Sequence, residues 1–399
     1  MVELAVYKDD TALTPDQLPP AAVEGLYVHI PFCFHKCHYC DFYSITQQSP
    51  ERMGRFVDRV LLEAQRWSGR AIRPRTVFFG GGTPSLLPMG DMQRLIAGLG
   101  ERFDLSGVDE WTVEANPATV NLEYCRMLRE MKVDRLSFGA QSFDAAELVT
   151  LERHHEPEDV PRSVEIARAA GFGRMNVDLI FAIPGQSLDS WTKSLERAIA
   201  LGTPHVSCYA LTYEPNTAMT ARKRAGEFAA AEECLELEML HYTRDRLEEA
   251  GVAAYEVSNF AKPGEACRHN LNYWQGGNYI GLGPAAASHI EGWRWKNRPH
   301  LTAWENAIDA GRLPAIDVET LSPLRRAGEL AMLMLRLERG IEFDLFFSRT
   351  GLDARELFAE VIGRFSKAGL IEACESAVRL TRAGLNVADA LGAEFLARV

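Results

Sequence analysis

Short runs of β-branched and aromatic residues recur through the first half of the chain, and each is followed by a stretch of helical periodicity. The runs are LYVHI (26–30), TVFFG (76–80), WTVEA (111–115), DRLSFG (134–139), MNVDLIFA (175–182) and HVSCYAL (205–211), and each fits a buried strand. Between them, ERMGRFVDRVLLEAQRW (51–67) sets Phe56, Val60, Ala64 and Trp67 on one helical stripe, and EYCRMLREM (123–131) and SWTKSLERAIA (190–200) behave alike. Strand-then-helix units imply a parallel sheet, because a parallel return needs a crossover. Six such units fit either a partial barrel or an open sheet.

After about Pro215 the rhythm changes. EECLELEMLHYTRDRLEEAG (232–251) predicts a long amphipathic helix, and the glycine- and aromatic-rich HNLNYWQGGNYIGLGPAAASHI (269–290) predicts a loop. From Ser322 three helical patterns precede GLIEACESAVRLTRAG, which suggests a small winged-helix-like unit. The expected organisation is an N-terminal extension (1–24), a core (25–215), a connecting region (216–321) and a mainly helical C-terminal domain (322–399).

Composition narrows the class. A chain of 399 residues exceeds one ordinary core and suggests two or three units. With 43 basic and 55 acidic side chains the formal charge is −12, which gives a nucleic-acid partner no global electrostatic support. The winged-helix-like unit is therefore expected to serve packing. The opening MVELAVYKDD lacks the basic start and apolar core of a secretory signal, and no apolar run reaches membrane-spanning length, so a soluble cytoplasmic protein is expected. Eight cysteines are too few and too scattered for a disulfide framework.

Three of them, Cys33, Cys37 and Cys40, stand together just after the first strand. Sites in parallel α/β folds collect at this carboxyl edge. A zinc knot of the three with His35 or His38 is one reading, since structural zinc takes four ligands. Haem attachment to Cys37 and Cys40 is excluded because Asp41, not histidine, follows them. A redox dithiol uses only two of the three. Three thiolates also suit a 4Fe-4S cluster with one iron left open.

CFHKCHYC resembles the CxxxCxxC signature of the radical S-adenosylmethionine (SAM) enzymes. That resemblance implies a partial (β/α)6 barrel with a 4Fe-4S cluster on Cys33, Cys37 and Cys40 at its mouth. SAM would chelate the open iron and be cleaved, on one-electron reduction, to methionine and a 5′-deoxyadenosyl radical. YVHIPFC, FFGGGTPS, EANP, FGAQSF and DLIFAIPGQ together resemble the coproporphyrinogen-dehydrogenase-like group, from about Tyr27 to at least His289. GGGTP ends the second strand, where residues without side chains let backbone N–H groups approach a ligand, so Gly81, Gly82 and Thr83 are expected to hold the methionyl end of SAM. By resemblance Glu114 accepts from the ribose hydroxyls, Gln141, Arg153 and Asp178 occupy matching positions, with Arg153 facing the SAM carboxylate, and Tyr27 completes the set.

Two features choose the branch. The dehydrogenase has a further cysteine two positions after its third, whereas Phe42 stands there in this chain. His269, Asn270, Tyr273 and Trp274 match the HNxxYW pattern of a haem-chaperone branch. Haem iron accepts imidazole or thiolate, and aromatic faces suit a porphyrin plane. His269 leads as ligand, with Cys267 and His289 behind it; aromatic packing is the alternative role of the motif. The implied function is delivery of haem to an acceptor protein, as monomer or homodimer, with membranes reached only through the acceptor. SAM binding or cleavage would then occur without coproporphyrinogen dehydrogenase activity. Radical decarboxylation of coproporphyrinogen III and a zinc-stabilised scaffold remain the rivals.

Overall fold

The computed structural model describes residues 13–397, so the first half of the expected N-terminal extension lies outside the described residues. Arg70 holds the remainder against the body, donating to the carbonyls of Pro15, Leu18 and Pro19 at 2.9, 3.1 and 2.5 Å.

The six expected strands form, within two residues of their expected ends: β1 (Gly25–Ile30), β2 (Thr76–Gly81), β3 (Glu110–Ala115), β4 (Arg135–Gln141), β5 (Arg174–Phe181) and β6 (His205–Ala210). They pair in sequence order, all parallel. Side chains alternate across such a sheet. One face carries Leu26, Val28, Val77, Phe79, Val113, Leu136, Phe138, Val177 and Val206, all buried in one core. Helices cover it. The Pro50–Gln65 helix supplies Phe56, Val60 and Ala64, and Trp67 follows in the same core, as the stripe predicts. The opposite face is unusually polar: Tyr27, Thr76, Glu110, Glu114, Arg135, Ser137, Asn176, Asp178, His205 and Ser207 project from it.

The expected connecting region extends this sheet on both flanks. β7 (Ala253–Ala254) and β8 (Asn259–Ala261) continue from β6, while β9 (Tyr279–Leu282), β10 (Ala287–Ile290), β11 (Trp293–Asn297) and β12 (Ala315–Thr320) continue from β1. The ladder is one open sheet of twelve strands, with β9 parallel to β1. Residues 269–290 are therefore not loop. Arg268–Trp274 is a helix, and β9 and β10 follow it. Glycines in this stretch hide the strand signal because the chain needs close approaches: a Cβ on Gly281 would lie 2.2 Å from the Ala287 carbonyl oxygen.

The C-terminal region is mainly helical and has its own core, including Leu330, Met334, Phe346, Phe358 and Phe395. Its Pro323–Met334 helix packs on Ala388–Ala397. A three-stranded sheet of β13 (Ile341–Glu342), β14 (Ile371–Ala373) and β15 (Ala377–Leu380) supplies the winged element. Among the described residues no helix is long and apolar enough to cross a membrane.

Candidate functional site at the carboxyl edge

The loop after β1 carries the three cysteines, all free and partly buried. It is seated by backbone bonds. Cys33 N donates to Ile45 O at 3.0 Å, Gly82 N to Ile30 O at 2.9 Å, and Thr83 N to Phe32 O at 2.7 Å. A Cβ on Gly82 would stand 2.7 Å from the Phe32 carbonyl oxygen, so only glycine permits this approach. Gly81 N donates to Glu114 Oε2 at 3.1 Å. The N–H groups of Gly81, Gly82 and Thr83 are thus all engaged within the protein.

Polar side chains surround the thiols. Thr83 Oγ1 lies 3.7 Å from Cys33 Sγ, and Arg153 Nη1 lies 3.6 Å from Cys37 Sγ while its Nη2 donates to Gly139 O at 2.6 Å. Arg153 Nε is buried without a partner. Burial pushes the Cys33 thiol up and the Cys40 thiol up to about 11. His35 and His38, the candidate fourth zinc ligands, instead face Glu152 at 2.7 and 3.1 Å. Among the described residues no three His, Cys, Asp or Glu side chains converge as a single metal ion requires.

Behind the thiols stand the two carboxylates of β3 and β5. Burial, reinforced by Asp178, pushes Glu114 up to about 8. Burial also raises Asp178, against hydrogen bonds from Ser137 Oγ at 3.0 Å and Asn176 Nδ2 at 2.8 Å. The backbone is strained here. Gln141 (φ 65°) and Ala182 (φ 60°) both take the left-handed conformation at strand ends, each at a cost of about 1–2 kcal/mol. Gln141 follows a register shift in β4.

Tyr27 reaches this edge through a residue the sequence reading missed. Its hydroxyl lies 3.0 Å from His29 Nδ1, and His29 Nε2 lies 2.8 Å from Tyr43 O. Burial pulls His29 down to about 4, so the ring is neutral. The partners set its tautomer: Nε2–H donates to the carbonyl and Nδ1 accepts from the phenol. His29 thus ties the cysteine loop to β1. Tyr39 was also missed, although it lies inside the cysteine motif; it packs with Ile180, Ile183, Leu211 and Met219.

The HNxxYW residues lie at the other end of the strands. His269 is buried against the start of β2, with Nδ1 2.7 Å from Thr76 Oγ1 and Nε2 2.8 Å from Tyr273 Oη, and its ring stacks on Phe78 at 5.2 Å. Its backbone N donates to Glu110 Oε1 at 3.1 Å. With both ring nitrogens engaged, His269 does not present a lone pair to iron in this arrangement. Cys267 is buried with Sγ 3.3 Å from Glu110 Oε1. The two ring nitrogens of His289 meet Gly277 O and Gly292 N, each at 3.1 Å. Asn270 bonds to Tyr255, and Trp274 lies under the Arg336 guanidinium at 5.2 Å.

Comparisons with known proteins agree with this architecture. The model of the radical SAM superfamily matches residues 27–198, and that of the HemN C-terminal domain matches 321–387. The chain is 32% identical to the heme chaperone HemW of Lactococcus lactis over 370 residues, covering 93% of this chain and 96% of that protein. It is 35% identical to the heme chaperone HemW of Mycobacterium tuberculosis over 389 residues, covering 94% and 97%. The structure of coproporphyrinogen III oxidase (HemN) from Escherichia coli, a radical SAM enzyme, superposes with a TM-score of 0.81 over 96% of this chain and 92% of its own, at 22% identity. This likeness concerns the fold. Full-length similarity to the chaperones at this identity places the chain in the HemW family, on a radical SAM scaffold.

Proposed function

We propose that this protein is a haem chaperone that binds haem and passes it to an acceptor protein, with a 4Fe-4S cluster and SAM held at the carboxyl edge. The observation that carries the reading is the full-length similarity to proteins named for haem delivery, joined to Phe42 standing, 66% exposed, where the dehydrogenase has cysteine.

The residues at the carboxyl edge fit the cluster. Cys33, Cys37 and Cys40 are soft donors, and the buried Arg153, with one N–H unmatched, offsets the charge that thiolate ligation brings. When bound, the cluster supplies one-electron chemistry toward SAM. The chain's own part is positional. The glycine turn faces the methionyl ammonium, Arg153 the carboxylate, Glu114 the ribose hydroxyls, and Asp178 and Gln141 flank them. The engagement of His35 and His38 by Glu152 disfavours the zinc scaffold.

Haem is assigned to the HNxxYW end. There His269 acts through Tyr273, whose hydroxyl it holds, and the Trp274–Arg336 stack fixes the helix that carries both. The reading includes a cytoplasmic, monomeric or homodimeric protein that reaches membranes only through its acceptor. Anaerobically reconstituted protein should hold about four irons per chain, change its reduced paramagnetic resonance spectrum on SAM addition, and bind haem. It should form no protoporphyrinogen from coproporphyrinogen III. Decarboxylation by the wild type would favour the enzymatic reading instead.

A further inference from the structure

A row of hydrogen-bonded side chains runs along the polar face of the sheet and joins its two ends. Asp178 Oδ1, at the carboxyl edge, accepts from Asn176 Nδ2 at 2.8 Å. Asn176 Oδ1 lies 2.7 Å from His205 Nδ1, and His205 Nε2 lies 3.0 Å from Tyr255 Oη. Tyr255 in turn bonds to Asn270 of the HNxxYW motif, on the Arg268–Trp274 helix. Asn176 and His205 are buried, and burial pulls His205 well below the ordinary imidazole range, so its ring is neutral.

Every link in this row has a sense. A carboxylate only accepts, so Asn176 turns its N–H groups toward Asp178 and its carbonyl toward His205. Nδ1 then carries the ring proton, Nε2 accepts from the Tyr255 hydroxyl, and the phenol oxygen accepts from the Asn270 amide. A proton on Asp178 permits the opposite sense. The Asn176 amide turns over, the imidazole proton changes nitrogen, and Tyr255 donates to the Asn270 carbonyl; one proton enters, at Asp178, and no backbone has to move. Ser137 Oγ at 2.8 Å and Ser207 Oγ at 3.0 Å from Asn176 are hydroxyls that rotate to donate or accept, so they serve either sense. Glu114, Arg153, Cys208 and the phenols of Tyr39 and Tyr209 surround Asp178, and burial raises its carboxyl, which brings the protonated form within reach of the ligand-free protein.

We propose that the row from Asp178 to Asn270 is a coupling relay, by which SAM at the carboxyl edge sets the affinity for haem at the HNxxYW end. The positive charge of SAM beside Asp178 keeps the carboxylate an acceptor and locks the first sense, whereas the empty site admits both. Asn270 changes from donor to acceptor between them, so the helix that carries Tyr273 and Trp274 is held in two different ways. Coupling of this kind is reciprocal: haem must act on SAM as strongly as SAM acts on haem. The relay presupposes SAM at one end and haem at the other, the reading already proposed, and adds regulation to it.

Ferric haem titration of the reconstituted protein, with and without saturating SAM and with no reductant so that SAM stays intact, tests it. Wild-type haem affinity should change by about fivefold or more on adding SAM, and SAM affinity by the same factor on adding haem. Tyr255→Phe removes one hydroxyl of the relay and keeps the ring, so both ligands should still bind and the mutual effect should vanish. Thr76→Val breaks a contact of His269 that lies outside the relay and should keep the wild-type factor. In wild-type protein carrying isotopically labelled histidine, SAM should shift the His205 ring proton from Nε2 toward Nδ1, read from the ring-nitrogen resonances. A haem affinity independent of SAM, a wild-type factor in Tyr255→Phe, or His205 resonances unmoved by SAM overturns the relay and leaves the haem reading in place. Failure of the wild type to bind haem overturns that reading instead.

Discussion

The two ends of the parallel core use buried charge in opposite ways. At the amino edge Glu110, fully buried, accepts from Arg135 at 3.2 Å and Arg174 at 2.9 Å, and it also receives the backbone N of His269. Arg174 reaches Asp134 and Glu265 besides. This layer is neutralised from within, and the segment around Cys267 to Trp274 closes it. At the carboxyl edge Glu114 and Asp178 are buried with no salt bridge among the described residues, and Gln141, Glu152 and Ala182 are left-handed. The centre of the amino edge is sealed by its own ion pairs. The other edge holds two desolvated carboxyls and backbone strain, which is the pattern of a site rather than of a core.

The contrast can be broken from either side. The largest effect belongs to the thiols: replacing Cys33, Cys37 or Cys40 with alanine should abolish iron and sulfide incorporation, measured after anaerobic reconstitution, while the fold measured by circular dichroism persists. Stoichiometric zinc with no iron uptake in the wild type would contradict the cluster. Next, Glu110→Ala leaves Arg135 buried and uncompensated. Such a loss costs about 3–5 kcal/mol, so denaturant unfolding should shift sharply to lower concentration. A shift no larger than for a surface residue would show that the amino edge is not sealed by charge.

Glu114 sharpens the comparison through pH. Its carboxyl is raised in the folded protein to about 8, so its stabilising contribution is fully present below pH 4.5 and is lost as pH rises toward about 8. Ligand-free protein should therefore lose stability across that window, and Glu114→Gln should flatten the slope. SAM affinity should move the other way, rising with pH as the acceptor ionises, and Glu114→Gln should weaken SAM by about tenfold with iron content unchanged. Equal pH profiles in both proteins would place the ribose elsewhere. The smallest effect is expected for Glu152→Gln. The pairs with His35 and His38 are partly exposed, so stability should change by about 1 kcal/mol or less, and iron content should not change. A large drop in iron would give those histidines a ligand role.

Much of this was legible in the sequence because the signals are local. The β-branched and aromatic runs of β1 to β6 and the stripe Phe56, Val60, Ala64 read out directly from neighbouring residues, and the cysteine loop follows β1 as its spacing implies. Strands β7 to β11 were not legible, since two to five residues give little periodicity and Gly276, Gly277, Gly281, Gly283 and Gly292 interrupt the stretch around β9 and β10. The position of the HNxxYW motif was hidden for a different reason. His269 meets Thr76 across 193 residues of sequence, and no local pattern says at which end of the strands that contact forms. The same applies to His29, whose role depends on Tyr43 folding back over it.

The central claim is that the cluster and haem occupy opposite ends of the strands. A variant with Cys33, Cys37 and Cys40 all changed to serine, purified without iron or sulfide and titrated with ferric haem, tests it most directly. The account predicts wild-type haem affinity and an unchanged ferric spectrum in that variant. Loss of haem binding together with the cluster would place haem at the cysteine loop and contradict the separation.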